Sequence, residues 1–205
     1  EACRWDGGVV RQSMLPATKK RAAKKHAPAS YDAHPCVVLA IDPGKVSGWA
    51  VLARGVLTAS GTARTHVDRR DAVSSATRTA HEASLPVIVV GEQWTPGGKF
   101  AGARTMAGLG AQWGLWQAAF EELAVPKRRV LRVHTQTWRA AILGGGFGVK
   151  TAEWDARAQR RASQTAGVHV DDDNEADAIC IGLWAARAAK VGDVVPKRKA
   201  RSEAA

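Results

Sequence analysis

Three carboxylates in unlike settings are the residues of this chain best suited to chemistry: Asp42, Glu92 and Asp177. Asp42 ends the apolar run Val37-Val38-Leu39-Ala40-Ile41 and opens a Pro43-Gly44 turn, and Glu92 ends Val87-Ile88-Val89-Val90-Gly91 in the same way. Asp177 stands between Ala176 and Ala178 in an Ala-rich apolar stretch, where small neighbours leave room for something to approach. Blander roles exist. An Asp before Pro-Gly often only bonds the amides that follow it, and acids in a first helical turn favour the helix dipole, which accounts for Asp171, Asp172, Asp173 and Glu175. A second strand ending on an acid is not explained that way. If the three acids converge, their repulsion is costly unless cations lie among them. Hard oxygen ligands select Mg²⁺, with Mn²⁺ as a substitute. Two such ions bridged by a strand-end Asp suit phosphodiester hydrolysis.

The elements that must carry these acids follow from patterning. Apolar runs bounded by turn residues predict buried strands at Val37–Ile41 and Val87–Gly91. Trp49–Ala53 and Val56–Ser60, separated at Gly55, extend the first strand into a three-stranded antiparallel meander. Residues 68–84 lack Gly and Pro and lead to Pro86, which predicts a helix. Residues 93–104, with Trp94, Pro96, Gly97, Gly98, Lys99 and Phe100, have loop composition. From about 105, Met106, Leu109, Trp113, Trp116, Phe120 and Leu123 recur at three- and four-residue steps, as in an amphipathic helix packed on the sheet. That tryptophan stripe also suits a subunit interface. Val130–His134 reads as a strand, with Thr135 as N-cap of a helix over 136–143. The run Gly144-Gly145-Gly146-Phe147-Gly148-Val149-Lys150 lacks the Gly-Lys-Ser/Thr ending of a nucleotide P-loop. Residues 150–166 read as helix, and an acidic cluster opens a last helix that holds Asp177.

With 205 residues, 45% hydrophobic and 24% charged, the chain suffices for one sizeable core. Residues 36–190 read as that domain, between a basic arm over 1–35, without sustained apolar period, and a basic tail over 191–205. The formal charge of +11 points to a polyanion. Nucleic acid is favoured over an acidic membrane surface, since no basic amphipathic helix or lipidation signal appears. The arm carries seven Lys/Arg against three Asp/Glu and the tail four against two, which leaves the body at +5. Cys3, Cys36 and Cys180 have no spacing for a zinc site or a disulfide framework, as expected of a reduced, intracellular protein. No apolar stretch reaches the length of a membrane span. The chain opens at Glu1 rather than Met, which leaves room for a removed leader and hence for an organelle as well as the cytoplasm or nucleoid.

Taken in order, strand-Asp-Pro-Gly, meander, helix, strand-Glu-Gln and a final helix with Glu-Ala-Asp-Ala, residues 37–188 resemble the RuvC family of Holliday-junction resolvases within the ribonuclease H-like superfamily. Ile41-Asp42-Pro43-Gly44 and Gly91-Glu92-Gln93 look like the family's first two acidic motifs, and Ala176-Asp177-Ala178 like its last. Arg139 and Lys150 fall where the family carries lysines important for activity. The resemblance implies an α/β ribonuclease H-like fold with a mixed five-stranded sheet, three antiparallel strands plus parallel ones, flanked by helices. It further implies a homodimer that cuts four-way DNA junctions with two Mg²⁺ ions per site and leaves 5′-phosphate and 3′-hydroxyl ends. Asp42 would bridge the ions, Glu92 would bind one, and Asp177 with Asn174 or Asp173 the other. Lys99, Arg104, Arg139 and Lys150 would hold backbone phosphates.

Two departures stand out. Where the family places an acid or His three residues before the last Asp, this chain has Asn174, which is either a neutral ligand, replaced in its role by Asp173, or an inactivating substitution. The family's junction-inserting aromatic falls near Thr95, with Trp94 and Phe100 as its nearest substitutes. The competing readings are a broader branched-DNA or RNA-processing ribonuclease H-like nuclease and a noncatalytic junction binder. Sugar kinases and chaperone ATPases share the strand-Asp-Gly opening but are much longer, and this chain lacks their second phosphate-binding repeat, so no nucleotide cofactor is expected.

Overall fold

The computed structural model describes residues 36–93, 103–145 and 148–188. Five strands form one sheet: β1 (Val37–Asp42), β2 (Ser47–Ala53), β3 (Val56–Ala63), β4 (Val87–Gln93) and β5 (Val130–His134), in spatial order β3-β2-β1-β4-β5. β1, β2 and β3 pair antiparallel, whereas β1–β4 and β4–β5 pair parallel, so the sheet is mixed as expected. The helices are α1 (His66–Ala83), α2 (Ala103–Glu122), α3 (Thr135–Arg139), α4 (Thr151–Ala166) and α5 (Asp173–Ala188), with a π-helical turn at Ala140–Gly144 after α3.

β1 is central, and helices cover it on both faces. Val37, Leu39 and Ile41 pack with α1 and α2, whereas Val38 and Ala40 pack with α4 and α5. All five are buried, which is why the strand reads as an unbroken apolar run rather than an alternating one. The Val, Leu and Ile side chains among them each contribute about 1.5–3 kcal/mol on burial. α1 is bounded by a capping box: Thr65 Oγ1 accepts from the Asp68 amide at 3.1 Å, and Asp68 Oδ2 accepts from the Thr65 amide at 2.8 Å.

Two expectations are corrected. Thr135 is the first residue of α3, not its cap; His134 takes that position without a side-chain bond, and the Thr135 hydroxyl is spent on Glu92. Trp113 and Trp116 belong to the core, not to an interface. Trp116 is wholly buried, and its ring stacks with Phe120 at 6.1 Å between centroids. Their helical period is satisfied by packing on the sheet, the other role that the spacing predicted. Cys36 and Cys180 are buried free thiols. No helix among the described residues is long and apolar enough to cross a membrane.

Candidate active site

The parallel pairing of β1 and β4 sets the first two acids side by side. Ile41 pairs with Gly91, so Asp42 and Glu92 are the next residues out, at the carboxyl ends of adjacent strands. Side chains alternate along a strand. Because Val38, Ala40 and Val90 face α5, the same alternation turns Asp42 and Glu92 to the α5 face. Asp177, one turn into α5, comes to that face from above.

Close approach of α5 depends on Gly48 in β2, the register partner of Asp42. A Cβ there would lie 1.7 Å from the Asn174 carbonyl oxygen, so only glycine lets the helix start settle against the strand. The helix start is otherwise fixed by Asp172, whose Oδ1 accepts from the amides of Asn174 (2.9 Å) and Glu175 (3.0 Å). Glu175 in turn accepts from Ser60 Oγ at 2.6 Å, which ties α5 to β3. The turn after Asp42 is held from the opposite face of the sheet: Trp116 Nε1 donates to Ser47 Oγ at 3.1 Å, and Ser47 Oγ donates to the Gly44 carbonyl at 2.9 Å. Sequence reasoning missed Ser47. Its only signal was a small hydroxyl at the start of an apolar strand.

The electrostatics are those of crowded carboxylates. Burial raises the Asp42 pKa well above the ordinary range, and the charges of Glu92, Asp177 and Asp172 raise it further, against the opposing effect of Arg139. Burial also raises Glu92, while the Thr135 hydroxyl, Arg139 and Trp138 favour its charged form. The indole nitrogen of Trp138 is buried and makes no hydrogen bond among the described residues, so that last influence is weak. Asp177 is pushed up to about 6, chiefly by burial, with Arg139 opposing and Glu92 and Asp155 adding to the rise.

Among the described residues, Arg139 is the cation whose charge acts on all three acids. Its Nη2 donates to Asp177 Oδ2 at 2.9 Å, with the two side chains only 19% and 12% exposed. Its guanidinium also lies 5.1 Å from the Trp138 ring and 6.0 Å from that of Trp154. The residue expected to hold a substrate phosphate is therefore paired inward.

Asn174 Oδ1 faces the turn after Asp42, 3.4 Å from where a Cβ on Gly44 would stand. Asp173 turns away: it is exposed and accepts from Gln159 Nε2 at 2.8 Å. Lys150 is exposed at the start of α4 and makes no capping bond. Trp94, Lys99 and Phe100 lie outside the described residues, as does the side chain of Arg104.

Among the described residues no group of three or more His, Cys, Asp or Glu side chains stands close enough together to hold a metal ion. The donor chemistry nevertheless fits a hard divalent cation. Asp42, Glu92 and Asp177 are near enough to raise one another's pKa, Asn174 adds an amide oxygen beside the turn after Asp42, and all are hard oxygen donors.

The sheet order, the helices on both faces and acids at the carboxyl ends of the parallel strands define a ribonuclease H-like fold. Two solved structures share it. A Thermus thermophilus RuvC structure is 22% identical, with a TM-score of 0.54 over 78% of this chain and 99% of that one. T. thermophilus RuvC in complex with a Holliday junction substrate is 19% identical, with a TM-score of 0.56 over 79% and 99%. No protein-family model and no curated protein matches the sequence. At these identities the likeness is one of fold.

Proposed function

We propose that this chain is a structure-selective endodeoxyribonuclease that cuts four-way DNA junctions by metal-dependent phosphodiester hydrolysis. The observation that carries the reading is the placement of Asp42 and Glu92 at neighbouring parallel strand ends, with Asp177 reaching the same face from α5. Divalent cations held by Asp42, Glu92 and Asp177, with Asn174 as a neutral donor, would supply water activation and charge neutralisation at the scissile phosphate. Thr135 fixes the Glu92 carboxylate through its hydroxyl, and Ser47 fixes the turn that aims Asp42. Arg139 serves as counter-ion to Asp177. Once that carboxylate is neutralised otherwise, the guanidinium is released towards a substrate phosphate, which reconciles its inward pairing with a DNA-holding role. Paired cuts across a two-fold junction need two copies of the site, hence a homodimer.

The test is cleavage of a synthetic four-way junction, a flap, a plain duplex and a structured RNA with Mg²⁺, beside Asp42→Asn. Selective nicking of the junction, lost in the variant, is expected; equal cutting of all four substrates would refute junction selectivity.

A second reading, a junction binder of weakened activity, is favoured by Asn174 and by the Arg139–Asp177 pair. Asn174→Asp separates the two. Its carboxylate would face that of Asp172, which lies 3.4 Å from the present amide nitrogen, so the metal-free variant should melt lower while binding Mg²⁺ more tightly. A nicking rate raised tenfold or more would favour the weakened-binder reading, and an unchanged rate the competent nuclease.

A further inference from the structure

We propose that the outer face of α4 is a second phosphate-binding surface, on which Arg157, Arg160 and Arg161 hold the backbone of a DNA arm of the substrate. The inference rests on the nuclease reading and extends it to residues that neither the motifs nor the acid cluster involve.

The three arginines are spaced i, i+3 and i+4, so their guanidinium groups share one helix face. Two hollows flank that face. One, of about 200 Å³, has Ile142 and Leu143 of the π-helical turn as its apolar floor and all three arginines on its wall. The other, of about 360 Å³, lies towards Gln159, Ser163 and His169. Arg160 and Gln164 line both and form the rib between them.

Folding does not call for this charge. The buried stripe of α4 is filled by Ala158 and Ala162, and like charges at these spacings cost a helix stability. Only Arg157 has an acidic partner among the described residues, Glu153 at 2.5 Å. Arg160 is exposed, and Arg161 has a buried Nε without any acceptor. Arg160 and Arg161, cations without an acidic partner among the described residues, stand beside the smaller, mostly polar hollow and suit an anion.

An extended anion suits them better than a free one. Arg157 to Gln164 spans about 10 Å along the helix axis, at 1.5 Å per residue. The phosphates of a DNA strand follow one another every 3.4 Å or so along the duplex axis, so the face matches a short run of them. The same helix also borders the acids: the Asp155 charge reaches Asp177, and Trp154 lies beside Arg139. A strand leaving the carboxylates along α4 meets the arginines within a few nucleotides.

The test is junction binding by the full-length chain in an Asp42→Asn background, measured across 50–200 mM salt. Replacing all three arginines by Gln is expected to weaken binding about 10- to 100-fold near 100 mM and to reduce the salt slope by about two to three. Lysine at all three positions should restore most of both. Because the arginines line one hollow with Ile142 and Leu143, thermal melts accompany each variant. Arg160→Gln alone, at an exposed position, should leave the melt unchanged and weaken binding several-fold. If the wild-type chain nicks junctions yet affinity and slope are unchanged in these variants, the surface is refuted and the nuclease reading stands. If the wild-type chain neither binds nor nicks a junction, both fall together.

Discussion

Asp177 concentrates the energetics of the site in one side chain. Its pKa is pushed up to about 6 in the folded protein from the ordinary carboxylate value of 3.8, an elevation that burial causes and Arg139 only partly offsets. A raised folded-state pKa means that this group's contribution is fully present below about pH 4 and is lost as pH climbs through about 6. The loss amounts to about 3 kcal/mol. Asp42 and Glu92 are raised as well and act in the same direction. Urea unfolding without metal should therefore show stability falling over this window, less steeply in Asp177→Asn. Millimolar Mg²⁺ should restore stability at pH 8 and do little at pH 4.5, where protonated carboxylates no longer attract it. A metal-free stability that rises across that window by the same amount in both proteins would refute this account of the acids.

Among the elements, α5 and β2 decide whether the acids meet. The helix start lies so close to the strand that Gly48→Ala would drive a methyl group into the Asn174 carbonyl, a backbone atom with no rotamer to escape through. The expected cost is about 1–3 kcal/mol or more, and α5 can recover only by lifting off the sheet and carrying Asp177 away from Asp42. Junction nicking should fall more than 100-fold while the variant still folds, as seen by circular dichroism at low temperature. Full activity in Gly48→Ala would show that the helix tolerates the shift. Gly91 makes a comparable contact on the other face, where a Cβ would come within 2.3 Å of the Trp113 ring. Both sides of the sheet thus depend on glycine next to an acid-bearing position.

At the scale of the whole molecule, charge and copy number matter most. The chain's +11 charge suits a polyanion, and affinity for any DNA should fall steeply with salt. A dimer, as the proposed paired cutting requires, would need a face that the core has not used. Trp113 and Trp116 are turned inward, but on the side of α2 away from them Gly114 has open space beyond its Cα atom, and Leu115 is 40% exposed. Light scattering should give a dimer, with Gly114→Glu shifted to monomer and its melting temperature little changed. A wild-type monomer at tens of micromolar would remove the basis for paired cutting.

The sequence by itself determined most of the fold and singled out Asp42, Glu92 and Asp177 as the candidate acids. Buried parallel strands are written as unbroken apolar runs, and a carboxylate at the end of such a run has few structural reasons to be there. Asp42 and Glu92 were legible for that reason, and Asp177 because alanines flank it. What only the tertiary structure decided is which polar groups face one another, since that depends on residues far apart in the chain. Arg139 turned out to pair with Asp177, Thr135 to bond Glu92 instead of capping a helix, and Asp173 to bond Gln159. Trp116 went to the core, where its indole steadies the Asp42 turn through Ser47. Local periodicity records whether a side chain is buried. It carries no information about the partner a buried hydrogen-bonding group must find, and that partner is supplied only when the sheet and helices close around it.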